Sequence, residues 1–196
     1  MTASKRPTWR KAAVFVSAIA LVGLADPRPT YFAVGCVLVA LAWGLRVWAF
    51  GHLEKNVVLV TTGPYAHTRN PAYLGSFAAL VGIALAAGNP ATLAGRLVWG
   101  VSLLLALAFL GYYMPRKLRR EYPRLEALFG AQLAIQAREV PDFFPRLRPW
   151  RSGDDRRFSL RRVGENHEWA WGPVFALVMT AVWYAPRWSP LHGLLG

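Results

Sequence analysis

Long apolar blocks separated by shorter polar connections set the plan of this chain. Residues 9–25, 31–50, 72–87, 93–114 and 169–188 each read as an apolar run without an acidic residue. A helix needs about 20 such residues to cross the roughly 30 Å hydrocarbon layer of a bilayer. The pattern predicts an all-α integral membrane protein with about five transmembrane helices. In the first block the continuous apolar part, 12–25, is short, and Asp26-Pro27 ends it. Its basic start and small residues near Ala25 also describe a signal peptide. The second block carries Arg46, a cation that either snorkels to the interface or serves function. The third and fourth blocks form a hairpin closed by Gly88-Asn89-Pro90, with Arg96 as an interfacial anchor near its tip. The fourth is expected to end at Pro115.

Residues 116–168 are polar and predict a helical cap beside the membrane. Leu118, Tyr122, Leu125, Leu128, Phe129 and Leu133 recur at three or four residues, the spacing of an amphipathic helix. Pro123 interrupts that pattern, so a break is expected near Tyr122 and a new helix from Pro123. Pro141, Pro145 and Pro149 then mark an irregular, arginine-rich stretch that reads as a surface near anionic headgroups.

Composition sharpens this picture. The chain is 55% hydrophobic over 196 residues, too apolar for an ordinary soluble domain, and its nine Trp and seven Tyr suit membrane interfaces. The formal charge is +13, and most Lys and Arg residues fall in the N-terminal segment, the 51–71 loop and the 116–168 cap. The positive-inside rule places these in the cytosol, and five spans then leave the C-terminus outside. The apolar spans argue against nucleic acid as the partner of this charge; membrane lipids are expected instead. Cys36 is the single cysteine, and His52, His67, His167 and His192 lack ligand-like spacing, so no metal site is expected. A glycine-rich dinucleotide fingerprint is also missing from the sequence.

The candidate chemistry centres on residues 63–75, GPYAHTRNPAYLG, between two apolar blocks. Gly63-Pro64 gives a turn, Arg69 a cation, Asn70 an N-cap and Pro71 a first helical residue. A helix N-terminus at a polar loop offers N–H groups and a positive dipole end to an anionic ligand group. The same residues also describe a well-capped membrane loop. Ahead of the last block stands Asn166-His167-Glu168, which either caps the final helix or places Glu168 to act on an amine or anchor a cofactor.

The 63–75 stretch resembles the GPYxxxR[HN]PxYxG signature of the isoprenylcysteine carboxyl methyltransferase and phospholipid methyltransferase superfamily. Residues 121–145, EYPRLEALFGAQLAIQAREVPDFFP, are similar to its second motif, an acidic pair, a Phe-Gly, a Val-Pro and a further Pro. Together the two motifs cover roughly residues 45–145. The resemblance implies S-adenosylmethionine as cofactor and methyl transfer to a lipophilic acceptor, such as a prenylcysteine-like carboxylate or an aminophospholipid, in a bacterial inner membrane. It assigns cofactor binding to Gly63, Pro64, Tyr65, Arg69, Asn70, Pro71, Tyr73, Leu74, Gly75 and Glu121. Arg69 and the following helix N-terminus can take a carboxylate, while Glu121 can bind hydroxyls, an amino group or the sulfonium charge. Glu121, Arg138, Asn166 and Glu168 are the catalytic candidates, with Arg138 either pairing with an anionic acceptor group or sitting solvated on a helix face.

Tyr122, Leu133 and Gln136 depart from the family pattern, while Asn70 is one of its known variants. Asn70 replaces a common histidine, which removes an imidazole base. Tyr122 replaces the second acid, so shared acid–base work between two carboxylates is not available there. Leu133 and Gln136 stand where relatives carry tyrosines. The missing second acid and tyrosines keep a non-catalytic membrane scaffold open, and the resemblance of sterol reductases to this helical architecture keeps a nicotinamide-dependent membrane reductase open.

Overall fold

In a computed structural model, residues 19–189 are described, and they are all-helical. The block expected at 9–25 falls mostly outside them; its described end is helical at 19–23 and packs into the core through Ala25. Helix α1 spans Pro29–His52, α2 spans Pro71–Ala87 and α3 spans Leu93–Ala108. A π-helical turn, Phe109–Tyr113, joins α3 to α4, Met114–Glu139. A short α5, Leu160–Glu165, a 3₁₀ turn, Glu168–Ala170, and α6, Trp171–Trp188, complete the described chain.

Among the described residues, two helices are long and apolar enough to cross a membrane: α1, and the 47-residue helical run Leu93–Glu139 that comprises α3, the π turn and α4. The apolar α2 is shorter, at 17 residues. Residues such as Leu41, Leu103, Leu104, Leu107 and Leu177 stand exposed along α1, α3 and α6, a surface that lipid covers and water would not. These features associate the chain with a membrane.

Small residues hold α1 and α2 together. Gly35, Val39, Ala42 and Ala49 are buried on α1, and Gly75, Ala79, Gly82 and Ala86 on α2, each set at three- to seven-residue steps along one stripe. A Cβ on Gly35 would lie 2.5 Å from the Gly82 carbonyl oxygen. Backbones this close gain dispersion contacts where lipid supplies no hydrophobic drive for association. At the hairpin end, Asn89 Nδ2 and Thr92 Oγ1 donate to Asp26 Oδ2 at 2.7 and 2.6 Å. Thr92 Oγ1 also accepts from Gly95 N–H, capping α3.

Two expectations about helix ends are corrected. The chain does not stop at Pro115. In the π turn the Met114 amide bonds to the Phe109 carbonyl, five residues back, and this wider turn accommodates the proline just after it. Nor does Pro123 break α4. It sits on an exposed face, where one missing amide bond is tolerated, and the helix bends instead at Gly130 (φ 44°, ψ −119°).

Candidate functional site

A cavity of about 530 Å³ opens between the end of α1, the following 53–60 loop, the signature loop, the start of α2 and the inner face of α4. Its size lies within the range of small-molecule sites. The two sequence motifs meet here through backbone bonds. Arg69 N–H donates to Pro141 O at 2.9 Å, Arg146 N–H to His67 O at 3.0 Å and Trp150 N–H to Ala66 O at 2.9 Å. Asn70 Nδ2 donates to Asp142 O at 2.9 Å, and Thr68 Oγ1 to Phe143 O at 3.0 Å. Gln136 Nε2, buried, ties α4 to Val60 O at 3.0 Å.

Of the sequence-predicted residues, Tyr65, Arg69, Asn70, Pro71, Tyr73 and Glu121 line the cavity. Gly63, Pro64, Leu74 and Gly75 do not; they shape its wall. Gly63 holds φ 58°, and a Cβ there would strike the His52 imidazole at 2.6 Å. Pro64 is the second residue of a 3₁₀ turn, Gly63–Ala66, and Leu74 packs against the buried cluster of Met114, Leu118 and Phe143. A Cβ on Gly75 would meet Arg46 Cγ at 2.5 Å, so this glycine makes room for the arginine stem. Asn70 occupies the N-cap position of α2, but its side chain makes no capping bond and turns to the Asp142 carbonyl instead. Local capping loses to a tertiary bond.

The charged groups are arranged in pairs. Tyr73 Oη donates to both Glu121 oxygens at 3.2 Å, and Lys117 Nζ lies 2.9 Å from Glu121 Oε1. Arg69 pairs with Asp142 at 2.6 Å and lies over the Tyr122 ring at 5.1 Å, while Tyr122 Oη donates to the same Asp142 carboxylate. The Nε of Arg69 is buried without a hydrogen-bond partner. Burial pushes the Tyr65 phenol well above its ordinary range, so it stays neutral at the cavity wall.

Glu168 and Asn166 do not reach the cavity, and their roles differ. Glu168 is 1% exposed and clamps Arg46 in a two-pronged pair, Nε to Oε1 at 2.6 Å and Nη2 to Oε2 at 2.8 Å. Arg46 Nη1 also donates to Ser76 Oγ at 2.6 Å and Ala72 O at 3.2 Å. Arg46 therefore points inward, between α1, α2 and the start of α6, and forms part of the cavity wall. Asn166 Nδ2 donates to the carbonyls of Phe50, Leu53 and Arg162, closing the end of α1. His167 adopts a left-handed conformation (φ 56°) ahead of the final 3₁₀ turn. Arg138 is exposed in the last turn of α4 and is not among the cavity walls.

Sequence reading left Arg46 undecided and did not include Asp142, Lys117 or Tyr122 in the site. The Asp142 signal was present as the residue following Val-Pro in the second motif. Its carboxylate comes to the Tyr122 position, where the expected second acid is missing.

The family model described as phospholipid methyltransferase matches residues 30–118, from the start of α1 to the first turns of α4. The cobalt-zinc-cadmium resistance protein CzcN of Cupriavidus metallidurans is 32% identical over 158 residues, covering 77% of this chain and 68% of that protein. The nickel-cobalt-cadmium resistance protein NccN of Alcaligenes xylosoxydans xylosoxydans is 33% identical over 167 residues, covering 83% of this chain and 73% of that protein. No solved structure matches.

Proposed function

Because the chain belongs to the phospholipid methyltransferase family, within the isoprenylcysteine carboxyl methyltransferase-like superfamily, we propose that it transfers a methyl group from S-adenosylmethionine to a lipophilic acceptor at the membrane boundary. The observation that carries this reading is the cavity itself, built where the two motifs join and lined by Arg69, Tyr73 and Glu121. The Arg69 guanidinium on the cavity wall would take a carboxylate such as the one on the cofactor, and a charge-assisted bond of this kind contributes about 1.5–3 kcal/mol. Glu121, held by Tyr73 and Lys117, offers lone pairs to ribose hydroxyls or an amino group. The cofactor supplies an electrophilic methyl on a sulfonium ion. The chain's residues hold, orient and keep water out, a positioning task. The proposal includes five spans, a cytosolic cap and an inner-membrane location.

The acceptor is a prenylcysteine-like carboxylate or an aminophospholipid. Arg138 is exposed in the last turn of α4 and does not line the cavity, so this reading assigns it no part in holding the acceptor. The purified protein, given labelled cofactor and bacterial lipids or prenylcysteine analogues, should put label into a lipid-extractable product. Glu121→Ala should lower that yield at least tenfold. Label confined to water-soluble products would refute the lipophilic acceptor.

The relatives are named for metal resistance, and we extend that setting to this chain. A methyl ester removes one negative charge from a carboxylate and so weakens its attraction for cations. Cells lacking the chain should then be more sensitive to cobalt, zinc or cadmium, with rescue by the wild type and not by Glu121→Ala.

A further inference from the structure

Residues 141–151, PDFFPRLRPWR, are not needed as a cavity wall, yet their exposed face is unusual. Leu147 is 97% exposed and Phe144 70% exposed, among the most exposed large apolar residues described. From Phe144 to Arg151 the chain carries three arginines and no acidic residue. The depth of this segment follows from its neighbours. Phe143 packs on Phe77 at 5.7 Å between ring centres, and Phe77 on Phe109 at 5.8 Å. Phe77 lies six residues into α2, roughly 9 Å below the helix start at 1.5 Å per residue. Phe144 contacts Phe143 at 5.3 Å. The segment is therefore anchored at the level where the apolar helices emerge, with its arginines and exposed apolar side chains at that boundary. Its backbone bonds to Ala66, His67 and Arg69 fix it to the signature loop.

We propose that residues 141–151 dock on an anionic bilayer surface, Phe144 and Leu147 entering the headgroup layer while Arg148 and Arg151 face its negative charge. Apolar side chains interleaved with cations bind such surfaces by combining area burial with attraction to anionic lipids. The proposal rests on α2 and α3 crossing the bilayer. It places the rim of the cavity at the headgroup plane, where an amphiphile would present its polar end.

The test uses the full chain in lipid nanodiscs, with Leu147→Cys carrying an environment-sensitive fluorophore and the unsubstituted protein as the labelling blank for Cys36. Leu147 is nearly fully exposed, so the substitution leaves the fold intact. A second label at exposed Glu126→Cys, roughly 17 Å along α4 past Pro115 by helical rise, is the reference. In discs containing phosphatidylglycerol, headgroup-level nitroxide lipids should quench the Leu147 label several-fold more than the Glu126 label. In phosphatidylcholine discs the difference should shrink, and Arg148→Glu with Arg151→Glu should abolish the effect of phosphatidylglycerol. Equal quenching of both labels by aqueous iodide overturns the proposal. So does lipid quenching that ignores lipid charge or survives the double charge reversal. Shielding of the label already in detergent, with cross-linking between copies, would assign the face to a second copy and overturn it as well. No readout depends on methyl transfer or cofactor binding, so failure here and failure of the enzymatic reading are separate results.

Discussion

At the scale of single residues, the most consequential side chains are those whose partners are far away in sequence. Arg46 and Glu168 are 122 positions apart, with side chains 12% and 1% exposed. Removing one partner of a buried pair costs about 3–5 kcal/mol, because the other charge is left without compensation. Glu168→Gln should therefore unfold at a markedly lower temperature in a detergent thermal scan. Arg46→Met combined with Glu168→Leu should recover much of that loss, since an apolar pair leaves no stranded charge. A double variant as unstable as the sum of the single ones would show that the two groups are not coupled. In the sequence Arg46 looked like either a snorkelling cation or a functional one. Nothing within its own block could decide, because the deciding carboxylate arrives from the start of another helix. Arg69 was legible from its motif, but its Asp142 partner and its orphaned Nε were not. Arg69→Ala should weaken cofactor binding about tenfold or more, the loss of one charge-assisted bond, as measured by titration calorimetry.

At the scale of elements, hydrophobic blocks located the main helices, since α1, α2 and α3 begin within two residues of the runs that predicted them. Breaks were less legible. Pro115 and Pro123 carried the sequence-level stop signals, yet the chain absorbs the first with a π turn and leaves the second on an exposed face. The bend falls at Gly130, where positive φ suits a residue without a Cβ. Glycine also decides the α1–α2 contact. Gly35→Ala would push a methyl into the Gly82 carbonyl and Ala86 side chain, and overpacking of this kind costs about 1–3 kcal/mol. Gly100 lies within α3, and a Cβ there would have nothing within 4 Å. Gly100→Ala should be neutral or stabilising by up to about 1 kcal/mol through helix propensity. Equal melting temperatures for the two variants would contradict the close helix approach.

At the scale of the whole molecule, the arginine-rich cap and far-side connections nearly without Lys or Arg predict the topology by the positive-inside rule. A reporter fused after Gly196 should appear outside the cytosol, and one inserted at the exposed Gly153 turn should appear inside. The reverse result would overturn the five-span arrangement. The membership of the family was readable in the two motifs because each is short, local and rich in turn and cap residues. How they lock together was not readable, since it depends on backbone bonds from 66–69 to 141–150. That lock produces the cavity, and the central claim is that the cavity is built for S-adenosylmethionine. Binding of S-adenosylhomocysteine and NADPH to the same purified protein tests it most directly. Saturable binding of S-adenosylhomocysteine near micromolar Kd, about −8 kcal/mol, weakened by Arg69→Ala and Glu121→Ala, with no comparable binding of NADPH, is the predicted result. Binding of NADPH in preference, or S-adenosylhomocysteine binding unchanged in both variants, would contradict it.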